Sequence, residues 1–130
     1  MQARTQFSVF LINRPGMLAG VAESLSDAGV NVEALSLADS GEHGVLRVVC
    51  DDPDAARKVL DAAHDRWTET DVLVLDVPNE PGRFAGIARR LAEANINISY
   101  AYATAAAGGQ TAKAVFKVAD PNKAQTVLGR

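Results

Sequence analysis

The sequence states one eight-residue pattern twice, and this repetition constrains the fold more than any other feature. The segment Asn13–Gly20 returns as Asn79–Gly86, at an offset of 66 residues (79 − 13), with identical Asn, Pro, Gly, Ala and Gly at the corresponding positions. The match continues at the same offset to Asn31 and Asn97. A chain that repeats a pattern at a fixed period is built from copies of one structural unit.

The period also sets the size of the copies. The chain has 130 residues, and we predict two units at residues 1–70 and 71–130. The dipeptide Asp52-Pro53 returns at Asp120, an offset of 68 residues (120 − 52). The second copy has therefore gained two residues (68 − 66) before this point, and we expect them in the loop that contains Gly108-Gly109. Units of roughly 60 residues bury only a marginal core, so we expect the copies to pack on each other, on a second chain, or both.

Composition excludes several classes of function. Apolar residues make up 48% and charged residues 22% of the chain, as in soluble globular proteins. The net charge of −3 argues against a nucleic-acid partner, and Cys50, the single cysteine, fits a reducing compartment. Because the sequence shows neither a membrane-length apolar run nor a signal-peptide core, we expect a cytoplasmic protein without a membrane partner.

Hydrophobic periodicity gives the order of elements in the first copy. The predicted elements are a strand at residues 7–12, a helix from Met17, strands at 30–37 and 45–50 joined at Ser40-Gly41-Glu42, a helix opened by Asp52-Pro53, and a short strand at 66–70. We expect left-handed helix ends at Gly29 and, in the second copy, at Asn95. The order strand, helix, strand, strand, helix, strand predicts an α+β fold of the ferredoxin-like βαββαβ type, with an antiparallel sheet and the helices on one face.

The second copy follows the same order but lacks the last strand, because Arg130 comes directly after its second helix. The edge of its first strand, at residues 72–77, would then be open, and open edges are normally covered. Joining two such edges would stabilise a dimer, so we expect a homodimer.

Two tyrosines distinguish the second copy from the first. Strict alternation along the strand places Tyr100 and Tyr102 on the face of Ile96 and Ile98. On that face they would serve either core packing or contact with a ligand.

Side chains suited to catalysis or metal binding are sparse. His43 lies in a predicted hairpin and His64 near a helix end, and neither has a Cys or a second His at metal-ligand spacing. Cys50 alternates with apolar residues, which indicates a buried small side chain. The sequence contains no glycine-rich phosphate loop. We therefore expect neither an enzyme nor a catalytic residue, a metal or a cofactor.

The repeated turn, in contrast, has the features of an anion site. A strand runs into Asn-x-Pro-Gly and then into a helix, whose first N–H groups lack helical partners. Those groups and the helix dipole favour a carboxylate by about 0.3–1 kcal/mol. The amides of Asn13 and Asn79 could each contact an ammonium and a carboxylate. The alternative is that these Asn, Pro and Gly residues only form the turn and bind nothing. The turn occurs twice, however, and Asn31 and Asn97 are repeated with it, which favours ligand binding.

Residues 13–18 with 28–32, and 79–84 with 94–98, resemble the ACT domain, a small-molecule-sensing βαββαβ module of amino-acid metabolism. The resemblance covers residues 5–130, and the layout is similar to that of stand-alone tandem ACT proteins of bacteria. It implies that units pair side by side into a shared sheet, with amino-acid effectors where the turn of one unit meets the strand after the helix of its neighbour. Serine specificity is not implied, because the His of the serine-sensing branch is replaced by Leu11 and Val77.

The resemblance also implies the binding residues. They are Asn13, Pro15, Gly16, Met17 and Leu18 in the first turn, Asn79, Pro81, Gly82, Arg83 and Phe84 in the second, and Asn31 and Asn97 after the helices. Each pocket would be composite: the first turn would face Asn97 of another unit and the second turn Asn31, within one chain or between chains.

We therefore expect a non-catalytic sensor that binds a free amino acid and regulates amino-acid metabolism by population shift. The first alternative is a regulatory subunit that docks on a biosynthetic enzyme of the acetolactate synthase type. An acylphosphatase-like enzyme would need a catalytic arginine in a phosphate loop, and Arg14 alone, with Glu80 in the repeat, supports it weakly. RNA binding would need basic charge and sheet aromatics, and the chain lacks both.

Overall fold

The computed structural model describes residues 2–63, 66–105 and 107–129; for residue 40 it describes the backbone only. Its elements are β1 (Gln2–Ile12), α1 (Met17–Asp27), β2 (Val32–Ser40), β3 (His43–Cys50), α2 (Pro53–Ala63), β4 (Trp67–Pro78), α3 (Arg83–Glu93), β5 (Ile98–Thr104), β6 (Thr111–Val118) and α4 (Pro121–Leu128). Two compact units result. The first unit comprises residues 5–70, and the second unit comprises residues 71–129 together with residues 2–4.

The first unit is built on antiparallel pairing of β1 and β2 with β3. Phe7 lies opposite Val48, so both side chains point to the face covered by the helices. The buried core on that face consists of Phe7, Val9, Leu11, Val21, Leu25, Val30, Leu46, Val48, Cys50, Ala56 and Leu60. Each helix buries one apolar face: the buried residues are Val21 and Leu25 in α1, and Ala56 and Leu60 in α2.

The second unit repeats this arrangement with β6 between β4 and β5. Its buried core consists of Leu73, Leu75, Val77, Leu91, Ala114, Phe116, Val118 and Ala124. The ring of Phe84, in the first turn of α3, stacks on Phe116 with centroids 5.3 Å apart. The predicted ferredoxin-like fold is therefore confirmed for both units.

The last strand differs between the units. In the first unit, the N–H of Phe10 donates to the carbonyl of Arg66 at 3.0 Å, so the start of β4 provides the predicted fourth strand beside β1. In the second unit, no strand follows α4 within the described residues. Residues 2–4 belong to this unit, and β1 is the neighbour of β4 on the side away from β6. Part of this edge therefore already has a neighbouring strand within the chain, and the open-edge argument for a homodimer is weaker than the sequence indicates.

The predicted position of the tyrosines was wrong. Ile98 lies opposite Val118 in the core, but a register shift follows it, and Tyr100 lies opposite Lys117 and Tyr102 opposite Val115. A β-bulge inserts one extra residue and reverses the faces of every residue after it. Both tyrosines therefore lie half-buried on the face opposite the helices. A matching shift in β2 lies between Val32 and Ala34.

Helix ends follow the predicted local chemistry. Gly29 and Asn95 adopt the left-handed conformation, with φ of 74° and 58°. The carboxylate of Asp52 accepts a hydrogen bond from the N–H of Ala55 at 3.1 Å, as an N-cap should. Asp120 does the same for Lys123 at 3.0 Å, which confirms that the second helices of the two units begin alike.

An ion-pair network joins α2 to the start of β4. The guanidinium of Arg57 contacts Glu69 and Asp54, each at 2.8 Å, and lies over the ring of Phe7 at 5.9 Å from its centroid. Arg57 donates hydrogen bonds to Glu69 and Asp54, and these raise the pKa of its guanidinium. The hydrogen bond that Glu69 accepts from Arg57 lowers the pKa of Glu69 below its usual value. The network helps to hold the fourth strand of the first unit in place.

Candidate functional site

Both repeated turns have the same backbone geometry. Gly16 and Gly82 precede α1 and α3 with φ of 87° and 85°, in the left-handed region. Glycine enters this region without the steric cost that a Cβ atom brings. The N–H of Arg14 donates to the carbonyl of Ile12 at 2.9 Å, just as Glu80 donates to the carbonyl two residues before it. The repeated sequence thus encodes one rigid turn.

Asn13 clamps the first turn to the β2–β3 hairpin. Its backbone N–H donates to the carbonyl of Glu42 at 2.8 Å. Its side-chain nitrogen donates to Oδ1 of Asp39 and to the carbonyl of Gly41, both at 3.0 Å. Because an amide NH₂ has two hydrogens, only the side-chain oxygen of Asn13 is left for a ligand.

Asn79 does the same in the second unit. Its N–H donates to the carbonyl of Gln110 at 2.9 Å, and its side-chain nitrogen donates to the carbonyl of Gly109 at 3.0 Å. In both units the asparagine therefore has a structural task, whatever else it contacts.

The N-terminus of α1 presents unpaired donors. Its first helical hydrogen bond runs from the N–H of Gly20 to the carbonyl of Gly16 at 3.0 Å, no side chain caps the helix, and its first turn contains no acidic residue. Within the described part of the chain, the N–H groups of Met17 and Leu18 have no hydrogen-bond acceptor. Such groups attract anions.

A cavity of about 380 Å³ opens at this helix start. It is lined by Leu11, Ile12, Asn13, Arg14, Pro15, Gly16, Met17, Leu18, Leu37, Ala38, Asp39 and Gly44. The five site residues predicted for the first turn are all among them. Arg14 and Asp39 are exposed on its rim, and neither forms an ion pair with a described residue.

The second turn borders a different cavity, of about 330 Å³, lined by Pro78, Gly82, Arg83, Gly86, Ile87 and Arg90. Of the predicted residues it contains Gly82 and Arg83, whereas Asn79, Pro81 and Phe84 are absent from its lining. Arg83 forms an ion pair with Glu80 at 3.0 Å. No residue of β5 lines this cavity, whereas β2 forms one wall of the first.

Asn31 and Asn97 lie away from the turns of their own units. Both are exposed and immediately precede β2 and β5. The backbone of Asn31 is held by Asp51, whose carboxylate accepts its N–H at 2.9 Å. The 11-residue helix α1 separates Asn31 from the first turn by about 16 Å, at 1.5 Å per residue. Asn13 and Asn31, which belong to the same unit, therefore cannot both contact one small ligand.

Seven of the residues that line the first cavity were not predicted as site residues, among them Leu37, Asp39 and Gly44 of the β2–β3 hairpin. The sequence does contain a signal for two of them. Leu37 and Asp39 are two residues apart at the end of β2, so they lie on the same face of the strand, next to the hairpin that the first turn contacts. A further cavity of about 410 Å³, lined by Phe10, His43, Arg66, Trp67 and Thr68, was not foreseen either.

Other functional candidates are limited. His43 begins β3 instead of lying in a loop, and His64 lies outside the described residues. Cys50 is buried in the core, as interpreted from its position. Across the described residues, no group of three His, Cys, Asp or Glu has an arrangement suited to a metal ion. None of the described helices has the length and apolar character needed to cross a membrane.

The left-handed turn can be tested with a matched pair of glycines. We expect Gly16→Ala to lower the free energy of unfolding by about 1–2 kcal/mol, because alanine is strained at a φ of 87°. Gly20→Ala, one turn into α1 with open space around it, should raise stability by about 0.5–1 kcal/mol. Urea unfolding of both variants gives the measurement, and equal effects would contradict the proposed turn geometry.

Known proteins place this geometry in a family. A family model described as an ACT domain pair matches residues 2–129. A comparison with curated protein sequences gives no match. Among solved structures, protein BT0572 from Bacteroides thetaiotaomicron is similar, with a TM-score of 0.89 and 33% identity, over 98% of this chain and 87% of that one.

Regulatory subunits of aspartate kinase share the fold at lower identity. The ligand-free subunit from Thermus thermophilus has a TM-score of 0.74 and 14% identity, over 99% of this chain and 94% of that one. The subunit from Thermus flavus has a TM-score of 0.66 and 17% identity, over 96% and 88%. Since the family model spans both repeated units, the chain belongs to the ACT domain family, as a pair of ACT domains.

Proposed function

We propose that this protein is a non-catalytic regulator that binds a free amino acid in the cavity at the start of α1. The observation that carries the proposal is the coincidence, in one cavity of about 380 Å³, of unpaired helix N–H groups and a fixed side-chain acceptor. These are complementary to the carboxylate and ammonium groups that all free α-amino acids carry.

The carboxylate would bind at the N-terminus of α1. The free N–H groups of Met17 and Leu18 lie in the cavity lining, and the exposed guanidinium of Arg14 adds a positive charge beside them. The helix dipole contributes about 0.3–1 kcal/mol to binding of an anion there, and hydrogen bonds to a charged group contribute about 1.5–3 kcal/mol each.

The ammonium group would be held by the side-chain oxygen of Asn13. Two hydrogen bonds to the hairpin, each 3.0 Å long, fix the orientation of this amide before any ligand arrives. A pre-oriented acceptor loses little conformational entropy on binding. The structural clamp and the proposed contact therefore use different atoms of the same side chain.

The size of the cavity supports a small ligand. Small-molecule sites typically measure about 300–1,000 Å³, and this cavity lies at the lower end of that range. It opens between the start of α1 and β2, so a bound amino acid would bridge the turn and the hairpin. Binding would then stabilise the conformations in which the two stay together, which is a population shift.

Regulation of an enzyme is the second part of the proposal. The aspartate kinase subunits with this fold are themselves described as regulatory. We propose that this chain, too, acts by associating with an enzyme of amino-acid metabolism, which senses the ligand-induced shift. The acetolactate synthase type of docking remains an alternative, and the enzyme that copurifies with the protein would decide between them.

The exposed amides of Asn31 and Asn97 complete the proposal. Each could reach a ligand only when a turn from outside its own unit is brought to it, for example in an assembly of two copies of the chain. A homodimer would provide such an arrangement, although the sheet edge no longer demands one.

An amino-acid screen tests the function directly. One or a few of the twenty amino acids should raise the melting temperature, because a ligand that binds only the folded state stabilises it by about 2.7 kcal/mol at 100 times its Kd. Thermal shift with each amino acid at millimolar concentration is the measurement. If none of the twenty raises the melting temperature above that of a glycerol control, the protein is not an amino-acid sensor.

The asparagines after the helices can be tested separately. If they contact the ligand, Asn31→Ala or Asn97→Ala should weaken binding at least about tenfold, the equivalent of one hydrogen bond to a charged group. Both side chains are exposed, so the melting temperatures without ligand should stay unchanged. Calorimetry with the amino acid chosen by the screen gives the affinities. Full affinity in both variants would remove these residues from the site.

A further inference from the structure

We infer that the ligand of the first turn is an amino acid with an aliphatic side chain, that Asp39 contacts its ammonium group, and that the second turn does not bind it. This inference rests on the proposed function and deepens it, since it names the class of ligand and the number of sites in the chain. It follows from the lining of the first cavity and from the way the second unit differs.

The wall of the first cavity is apolar. Leu11 is buried beneath it, with 4% of its surface exposed, and Met17 and Leu18 are half-buried. Leu37 is 50% exposed and so leaves a large apolar side chain uncovered at the cavity mouth. Gly44 has no side chain to cover it; a Cβ atom there would lie 3.6 Å from Leu37. An aliphatic ligand side chain would remove this surface from water, which favours binding in proportion to the area.

The charges in the cavity match only the charges common to all amino acids. Arg14 and Asp39 are the charged residues of the lining, and one of each sign corresponds to the carboxylate and the ammonium. All other lining residues are uncharged. A charged ligand side chain would therefore lose hydration without gaining a partner, which is costly.

Asp39 is positioned for the ammonium. Its Oδ1 accepts hydrogen bonds from the side chain of Asn13 and from the N–H of Gly41, both at 3.0 Å. These donors are neutral, so the negative charge of Asp39 stays uncompensated among the described residues. The hydrogen bond to Asn13 brings the carboxylate next to the amide oxygen of the same asparagine. Two acceptors, one of them charged, thus lie side by side on the rim.

The second unit has alanine at each of the corresponding positions of its strand. At the offset of 66 residues, Leu35, Leu37 and Asp39 become Ala101, Ala103 and Ala105. The strand register supports this equivalence, because Leu37 lies opposite Leu46, and Ala103 lies opposite Ala114 in the matching strand pair. The large apolar side chains of this strand and the acidic acceptor are therefore both absent from the corresponding positions of the second unit.

The charged residues of the second turn also pair with each other. Glu80 takes the place of Arg14 and Arg83 the place of Met17, and the two form an ion pair at 3.0 Å. Of the two cations that line the second cavity, Arg83 thus already has a carboxylate of the chain beside it, and Arg90 donates to the carbonyl of Val127 at 2.8 Å. Meanwhile Asn79 keeps its clamp to Gly109. The second unit has retained the structural part of the pattern without the part that would bind an amino acid.

Calorimetry of the full chain with L-leucine tests the ligand class and the number of sites. We expect one L-leucine per chain, with L-lysine and L-aspartate bound at least about tenfold more weakly, because their side-chain charges find no partner. A stoichiometry of two per chain, or tighter binding of L-lysine or L-aspartate, would overturn the inference while leaving an amino-acid sensor intact. If none of the twenty amino acids binds, the proposed function itself fails.

Leu37 has a matched control in Leu35. Both lie on β2 on the same face and are about equally exposed, at 50% and 47%, but Leu35 does not line the cavity. Leu37→Ala should weaken L-leucine binding at least about fivefold, since apolar contact area is lost, and Leu35→Ala should leave it unchanged. Equal effects of the two substitutions would contradict the aliphatic contact.

Asp39→Asn removes the charge but keeps an oxygen that can accept the two hairpin hydrogen bonds. We expect it to weaken L-leucine binding at least about tenfold, with an unchanged melting temperature. The control Asp76→Asn, at an exposed aspartate of the second unit, should have no effect. Wild-type protein should also bind 4-methylpentanoate, which lacks the ammonium group, at least about tenfold more weakly than L-leucine. Unchanged binding by Asp39→Asn, or equal binding of the two ligands, would exclude this role of Asp39.

Discussion

The hydrogen bonds that an asparagine donates from the end of the first strand to the following hairpin are the interaction on which each unit depends. Asn13 reaches Asp39 and Gly41, and Asn79 reaches Gly109, all at 3.0 Å. With its donors fixed, the chain can turn sharply through a left-handed glycine and start a helix without a side-chain cap. The uncapped helix start therefore faces a hairpin held at a fixed distance, and in the first unit the space between them is the cavity.

The repetition within the chain separates what the fold needs from what a ligand would need. The clamp, the glycine turn and the helix capping by Asp52 and Asp120 are present in both units. The charges near the turn and the side chains of β2, however, differ between the units, because Arg14 corresponds to Glu80 and Leu37 corresponds to Ala103. The residues that form the turn and its hydrogen bonds are thus alike in the two copies, and the differences around the turn mark the specificity that we assign to the first unit.

Much of the fold could be predicted from the sequence, because helix faces, caps and the antiparallel plan have short-range signals. The positions of Tyr100 and Tyr102 could not, since a single bulged residue reverses their face and leaves no mark in the alternation. Likewise, the position of β1 beside β4 depends on a contact that is distant in sequence. The five residues predicted for the first turn do line the candidate cavity. Asp39 was missed, because its proposed role arises from the hydrogen bond with Asn13 across the hairpin.

The most direct test of the account is the position of the bound amino acid. Amide chemical shifts of ¹⁵N-labelled protein, titrated with the most stabilising of the twenty amino acids, report which N–H groups the ligand meets. We expect the largest shifts at Met17 and Leu18, whose N–H groups lack acceptors among the described residues, and small shifts at Arg83 and Phe84. Saturable binding that leaves the amides of Met17 and Leu18 unshifted would contradict it.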